Sequence, residues 1–308
     1  MLSFIERKGG LKGDALWVLK KGGLLMKFTL GLGLIVLGGC VAKSGFEERF
    51  KESRRLVAPS FSVTGVSSGD FTFSLVGDVH LGGNDTSRLR VILQAAQDHN
   101  DAFIIFLGDM IDKGVKADFE TFIAQVKEFG FENRAIYVIG NHDIFDDGWT
   151  HFRDLMGPSH YDVTLGNCRF LILDSADGMI GEGQTEWLEK RLKEPAAVHT
   201  IVLSHYLPVV PGQRTYLKLA NAIESMNLMK LLTRFGVKAW LGGHYHSFTQ
   251  AEIDKVTYLV AGGGGGRRME PLKEFFYVRA TVQNSRLSFQ PHTLDLFHDL
   301  KHNILQDP

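Results

Sequence analysis

Cysteine is the scarcest reactive residue in this chain. Only Cys40 and Cys168 occur in 308 residues, so no disulfide framework holds the fold together. Charge of one sign is also missing. A net charge of −1 does not indicate a general electrostatic attraction to nucleic acid or to an anionic membrane; it leaves room for locally basic pockets, and no nucleic-acid-binding surface is evident. The longest apolar run, Phe28 to Cys40, falls short of the roughly 20 residues that a spanning helix needs. No internal repeat is present, and no protein partner is inferred. The apolar fraction of 44% and charged fraction of 22% are those of an ordinary globular protein, long enough for one large domain or two small ones. Glycine is plentiful, clustering near the N-terminus and at Gly262 to Gly266.

The N-terminal run has a definite grammar. Met26-Lys27 supplies a basic start, about a dozen apolar residues follow, and small residues precede a break, as in a secretory signal. Leu37-Gly38-Gly39-Cys40 resembles the lipobox of bacterial lipoproteins, in which cleavage exposes the cysteine for acylation. Residues 26–39 are therefore expected to be a signal peptide and Cys40 a lipidation site. The mature chain would then be a membrane-anchored, extracytoplasmic lipoprotein of the bacterial cell envelope, each buried methylene contributing about 0.8 kcal/mol. Residues 1–25 fit poorly ahead of such a signal, since they carry Glu6, Asp14 and Trp17-Val18-Leu19. They are expected to be a mis-called extension, with translation starting at Met26. Residues 40–69 read as a tether of low order, with a charged stretch from Phe46 to Val57 able to form a short helix.

From 70 to about 292 the pattern is that of a folded domain. Apolar runs at 71–76, 103–107 and 135–139 read as buried strands, with helical spacing between them at 85–100 and 118–129. This βαβαβ rhythm predicts a mostly parallel sheet. Next come a hairpin over 161–173 turning at Gly166-Asn167, a helix over 184–192, a strand over 199–203, a helix over 221–235 and a strand over 237–241. Short alternating strands follow at 249–253, 257–260, 275–282 and 286–290. Parallel strands first and antiparallel strands later predict two sheets packed face to face with helices outside. Residues 293–308 read as a polar, peripheral tail.

The chemistry lies where the apolar runs end. Gly77-Asp78-Val79-His80, Gly108-Asp109, Gly140-Asn141-His142-Asp143, Ser204-His205 and Gly242-Gly243-His244-Tyr245-His246 each follow a buried strand. Open α/β sheets place their reactive groups at the carboxyl ends of strands. Five strand ends thus bring carboxylate, imidazole and amide to one rim, which points to a metal site, and to one with room for two metals.

In order and spacing these blocks resemble the calcineurin-like metallophosphoesterase superfamily, over about 170 residues. The resemblance implies an α/β fold, a four-layer αββα sandwich of two mixed β-sheets flanked by helices. It implies that Asp78, His80 and His246 hold one divalent metal and Asn141, His205 and His244 the other, with Asp109 bridging. Imidazole, carboxylate and amide oxygen without thiolate suit manganese, iron or zinc, and ligand type does not choose among them. Two such ions share a hydroxide and clamp the phosphoryl oxygens of a phosphate-ester substrate. Four positive charges against three returned by Asp78, Asp109 and hydroxide leave a surplus that suits a phosphate. His142 then resembles the general acid for the leaving group, and Asp112 the carboxylate that orients it. Lys113 stands where the protein Ser/Thr phosphatases have arginine, and Asp143 where they have glutamate, which counts against that branch. Asp112 stands where purple acid phosphatases have a tyrosine ligand. The Asn-His-Asp and Gly-His-x-His blocks look closest to the bacterial phosphodiesterase-like branch.

Arg267 and Arg268, after the glycine run, are candidates for contact with an anionic substrate. Tyr206 and Tyr245 flank ligands, and Cys168 is expected to pack as a small apolar side chain. The expected function is dinuclear-metal-dependent hydrolysis of phosphate esters. The rival is a membrane-tethered, metal-containing binding protein without turnover. Retention of His142 counts against it, because a scaffold gains nothing from an acid.

Overall fold

The computed structural model describes residues 17–21, 24–28, 45–66, 69–82, 87–195, 197–214, 216–269, 274–283 and 286–294. The chain forms two compact units, residues 1–42 and 43–308. Within the first, β1 (Trp17–Lys21) pairs antiparallel with β2 (Leu24–Phe28), Leu19 opposite Met26. Met26 to Phe28, read above as the start of the signal, lie in β2. The rest of that signal, the Cys40 lipidation site, most of the proposed extension and the tail from 295 lie outside the described residues. Among the described residues no helix is long and apolar enough to cross a membrane.

The second unit runs α1 (Phe46–Ser53), β3 (Phe71–Val76), α2 (Ser87–Asp98), β4 (Ile104–Leu107), α3 (Lys116–Glu128), β5 (Ala135–Val138) and α4 (Gly148–Met156). It continues through β6 (Tyr161–Leu165), β7 (Cys168–Ile172), α5 (Glu182–Leu192), β8 (His199–Leu203), α6 (Ala222–Arg234) and β9 (Ala239–Gly242). The last strands are β10 (Phe248–Ile253), β11 (Val256–Ala261), β12 (Phe276–Gln283) and β13 (Arg286–Thr293). One sheet has the order β13-β12-β3-β4-β5, the other β10-β11-β9-β8-β7-β6. Both are mixed. β3, β4 and β5 are parallel while β12 is antiparallel to β3 and β13. In the second sheet β7, β8, β9 and β11 are parallel, with β6 and β10 as antiparallel edges.

Side-chain alternation explains the layering. Phe73, Ile105 and Ile136 meet Phe170, Ile201 and Leu259 between the sheets. Ile104, Phe106 and Tyr137, on the opposite face of the first sheet, pack with Leu89, Ile92, Phe122 and Phe152 of α2, α3 and α4. Leu171, Val202 and Trp240 of the second sheet pack with Leu188 of α5 and Leu228 and Leu232 of α6. Each such side chain stabilises the fold by roughly 1.5–3 kcal/mol through burial. The result is an α/β sandwich of two mixed sheets flanked by helices. Cys168 is fully buried in the inter-sheet core, where burial pushes its thiol up to about 12.

Three expectations are corrected. The low-order tether is not one over residues 45–66. Helix α1 forms there, Arg49 is fully buried, and Phe61, Val63 and Val66 pack against the inter-sheet core. Strand direction is not segregated by position in the chain either. Parallel pairs occur in both sheets, and the β12-β13 hairpin returns to the first sheet beside β3. Helix α4, absent from the sequence reading, forms on Trp149, Phe152 and Met156, whose spacing buries one short face.

Candidate metal centre

The parallel strands of both sheets end at the same rim. Gly77 to His80 follow β3, Gly108 and Asp109 follow β4, Gly140 to Asp143 follow β5, His205 follows β8, and Gly243 to His246 follow β9. The turns that aim these side chains inward use unusual backbone. Asp78, His80, Asp109 and His244 all have positive φ, between 48° and 65°. For a residue with a Cβ this left-handed conformation costs about 1 kcal/mol or more, and surrounding structure must impose it. The motif glycines serve close approach: a Cβ at Gly108 would collide with the His205 ring, and one at Gly140 with Asp109.

A buried carboxylate outside the expected ligand set builds the floor. Asp143 accepts hydrogen bonds from the backbone N–H groups of Asp109 (2.9 Å), Met110 (2.9 Å), Ile111 (3.1 Å) and Gly140 (2.8 Å). It thereby ties the loop after β4 to the loop after β5. Burial and the neighbouring Asp109 push its carboxyl up to about 7, against the downward pull of the Gly140 and Ile111 amides. The sequence signal for this role was present only as the last member of the Asn-His-Asp block.

Above this floor the donors converge. Ligand atoms of Asp78, His80, Asp109 and His246 lie within 4.8 Å of one another, as do those of Asp109, His205 and His244. Asp109 belongs to both groups. Asn141 joins the second, its Oδ1 3.1 Å from His205 Nε2. His205 Nε2 is 3.2 Å from Asp109 Oδ2, and His246 Nε2 is 3.2 Å from Asp78 Oδ1. All seven residues singled out from the sequence are therefore brought together.

The hydrogen bonds aim the nitrogens. His205 donates from Nδ1 to the Leu107 carbonyl and His246 from Nδ1 to the Arg267 carbonyl, each at 2.8 Å. That leaves both Nε2 atoms facing inward. His80 Nε2 faces His246 Nε2 at 3.3 Å, two ring nitrogens pointing at one another. His244 Nδ1 is buried with no hydrogen-bond partner. Facing nitrogens, an orphaned nitrogen and two buried carboxylates fit divalent cations. Asp78, His80, Asp109 and His246 would hold one, and Asp109, Asn141, His205 and His244 the other.

Electrostatics follow the same geometry. Burial alone would raise Asp109, but His205, His80 and His142 hold it below the usual carboxylate range. Burial would lower His205, yet Asp109 and Asp78 raise it to about 9. His244 is pushed down to about 3 by burial and by His205.

The remaining candidates stand beside the cluster. The His142 backbone N–H donates to Asp109 Oδ1 (2.8 Å), and its Nδ1 donates to the Asp112 carbonyl (2.8 Å). The Asp112 carboxylate is 3.7 Å from that Nδ1 and nearer His80, at 3.3 Å. Asp112 thus reaches His142 through its main chain rather than through the carboxylate expected. Arg267 and Arg268 are exposed, with the Arg268 guanidinium 4.1 Å from the centre of the Phe275 ring. Tyr206 lies against His244, ring centres 3.7 Å apart, whereas Tyr245 is buried in the core beneath α6.

The chain is similar to known proteins. The 3',5'-cyclic adenosine monophosphate phosphodiesterase CpdA of Escherichia coli is 27% identical over 175 residues, 54% of this chain and 62% of that protein. The serine/threonine-protein phosphatase CPPED1 of Danio rerio is 26% identical over 201 residues, 56% of this chain and 64% of that protein. The chain thus spans less than two thirds of the length of these relatives. The fold is shared with purple acid phosphatase PPD1 from yellow lupin seeds (TM-score 0.62, 16% identity, 77% of this chain and 52% of that one). It is shared too with a dimetal phosphatase from Danio rerio (TM-score 0.56, 15% identity, 72% and 96%). The sequence pattern described as calcineurin-like phosphoesterase matches residues 71–248, more than half of the chain, and the chain belongs to that family.

Proposed function

We propose that this protein hydrolyses phosphate esters with two divalent cations and His142 as general acid. The observation that carries the reading is the convergence of seven oxygen and nitrogen donors at five strand ends, with Asp109 common to both groups. When bound, the cations supply Lewis acidity for phosphoryl oxygens and a water acidic enough to attack phosphorus near neutral pH. The chain's own residues do the rest. Asp78, Asp109 and the four imidazoles fix where the phosphoryl group sits. The His142 imidazole stands beside His80 with ring centres 4.5 Å apart. Its Nδ1–H is occupied by the Asp112 carbonyl, so Nε2 is the atom left to carry a proton to the departing oxygen. Arg267 and Arg268 extend the positive surface around a bound ester.

The names of the relatives span a phosphodiesterase and a phosphoprotein phosphatase, so the ester class is decided by assay. Turnover of p-nitrophenyl phosphate and bis-p-nitrophenyl phosphate is measured with manganese, zinc, iron(II) and chelator. Chelator-sensitive turnover of either ester supports the reading, and the preferred ester assigns monoesterase or diesterase. Two bound metal equivalents with no turnover of either ester, or of 3',5'-cyclic AMP, would overturn it. We also propose that Cys40 carries lipid and holds the protein at an extracytoplasmic membrane face. Cys40→Ser should move the protein from the membrane fraction to the soluble one. An unchanged distribution would sink that idea.

A further inference from the structure

One ligand is held differently from the others. His205 and His246 are fixed by hydrogen bonds from Nδ1 to carbonyls, and His80 by its Nδ1 contact with Asp112. The His244 backbone N–H donates to Asp78, but its Nδ1 makes no hydrogen bond. That ring instead packs between two others, against Tyr206 at a centroid distance of 3.7 Å and edge-on to His205 at 5.1 Å.

Tyr206 is itself tethered. Its backbone N–H donates to the Oγ of Ser175 at 2.8 Å. Ser175 is fully buried in the loop after β7, beside Asp174, which is also fully buried. Asp174 takes two hydrogen bonds from Arg49 of α1, Nε to Oδ2 at 2.7 Å and Nη2 to Oδ1 at 3.0 Å. Arg49 Nη2 also reaches Asp177 at 3.0 Å, so the guanidinium spans the whole 174–177 loop. Burying an arginine this deeply is costly unless its partners are well placed. Here those partners belong to the loop that carries Ser175.

Helix α1 is seated firmly enough to transmit this. A Cβ at Gly181 would collide with the Phe46 ring, and one at Gly183 would come within 2.7 Å of the Phe50 ring. Ser53 bonds Ser159 at 3.1 Å. Glu52 accepts from Trp149 Nε1 at 2.7 Å and Arg153 Nη1 at 3.2 Å, both on α4, which follows the Asn141 and His142 loop.

We infer that α1 is a positioning element of the metal centre, with Arg49 bracing the 174–177 loop so that Tyr206 holds His244 in ligating orientation. The inference rests on the two-cation reading above. It separates the two positions: the one shared by Asn141, His205 and His244 depends on α1, and the one shared by Asp78, His80 and His246 does not.

The test is a manganese titration of the chelator-stripped full-length chain, following free manganese by electron paramagnetic resonance. Wild type should bind two equivalents. In Arg49→Ala, Ser175→Ala and Tyr206→Leu, one equivalent should weaken about 10–100-fold while the other stays within twofold. Tyr206→Phe keeps the ring and the backbone N–H, and should restore wild-type binding. If Arg49→Ala fails to fold, Ser175→Ala and Tyr206→Leu decide. Two equivalents weakening in parallel, or neither changing, overturns the inference while the two-cation reading stands. A wild-type chain that takes up no manganese, zinc or iron(II) overturns both.

Discussion

His142 is the residue on which catalysis and mere binding part company. Every carboxylate and imidazole of the cluster is expected whether or not the protein turns over its ligand, whereas under the reading proposed above His142, with Nδ1 tied to the Asp112 carbonyl, serves turnover alone. His142→Ala is expected to lower turnover about 10²–10⁴-fold with metal content near wild type, as measured by steady-state assay and elemental analysis. Unchanged turnover would remove the general-acid role. The ligands were legible because each follows a buried apolar run, where a polar residue has few structural reasons to be. Asp143 was not legible in its actual role, because it works on the amides of residues 109–111, about thirty positions away. Tyr206 was legible only as a neighbour of His205, since its partner His244 is supplied by a different strand end.

Between residue and molecule, the contact of α1 with α5 contains a titratable group. His160 is buried between the Phe50 ring at 4.5 Å and the Trp187 ring at 5.3 Å, and its Nδ1 has no hydrogen-bond partner. Burial, with help from Arg54 and against Asp174, lowers it to about 4. An unfolded histidine titrates near 6.5, so between these values the unfolded chain binds the extra proton. The contribution of His160 to stability therefore falls as pH drops from about 6.5 to about 4, by a total on the order of 3 kcal/mol, and changes no further below that. His160→Phe keeps an aromatic ring in the slot and should flatten this loss, read from urea unfolding at pH 7 and pH 4.5. Equal losses in both proteins would show that another group is responsible. The Phe46 to Val57 stretch was readable as a short helix, but not as a docked one. Its anchor, Arg49, finds Asp174 at a separation of 125 residues, beyond any local pattern. Helix α4 has legible spacing at Trp149, Phe152 and Met156, yet it starts at Gly148 after a polar turn and offers only nine residues.

Across the molecule, the two-sheet core was readable from strands whose side chains alternate, while the division of strands between sheets was not. Ala280 pairs with Phe73 and Thr281 with Thr72, and no local signal says which of the four late strands will do so. The metal centre joins the two sheets at their common rim, so its cations should stabilise the whole domain. At a free metal concentration one hundred times Kd, a single site adds about 2.7 kcal/mol. With about 2–4 °C per kcal/mol for a domain of this size, chelation should lower Tm by roughly 5–10 °C for each cation removed. Identical melting curves with and without chelator would mean that the cations bind folded and unfolded chains alike. The position of β12 also bears on how the protein is made. A ribosome delivers β3 early, but the strand that covers its open edge emerges only some two hundred residues later. Throughout that interval β3 presents unpaired amides and carbonyls on one side, the kind of edge that recruits strands from other chains. Slow translation or crowding of nascent chains should therefore favour aggregation, and a chaperone that shields the β3 edge should raise the yield of folded protein.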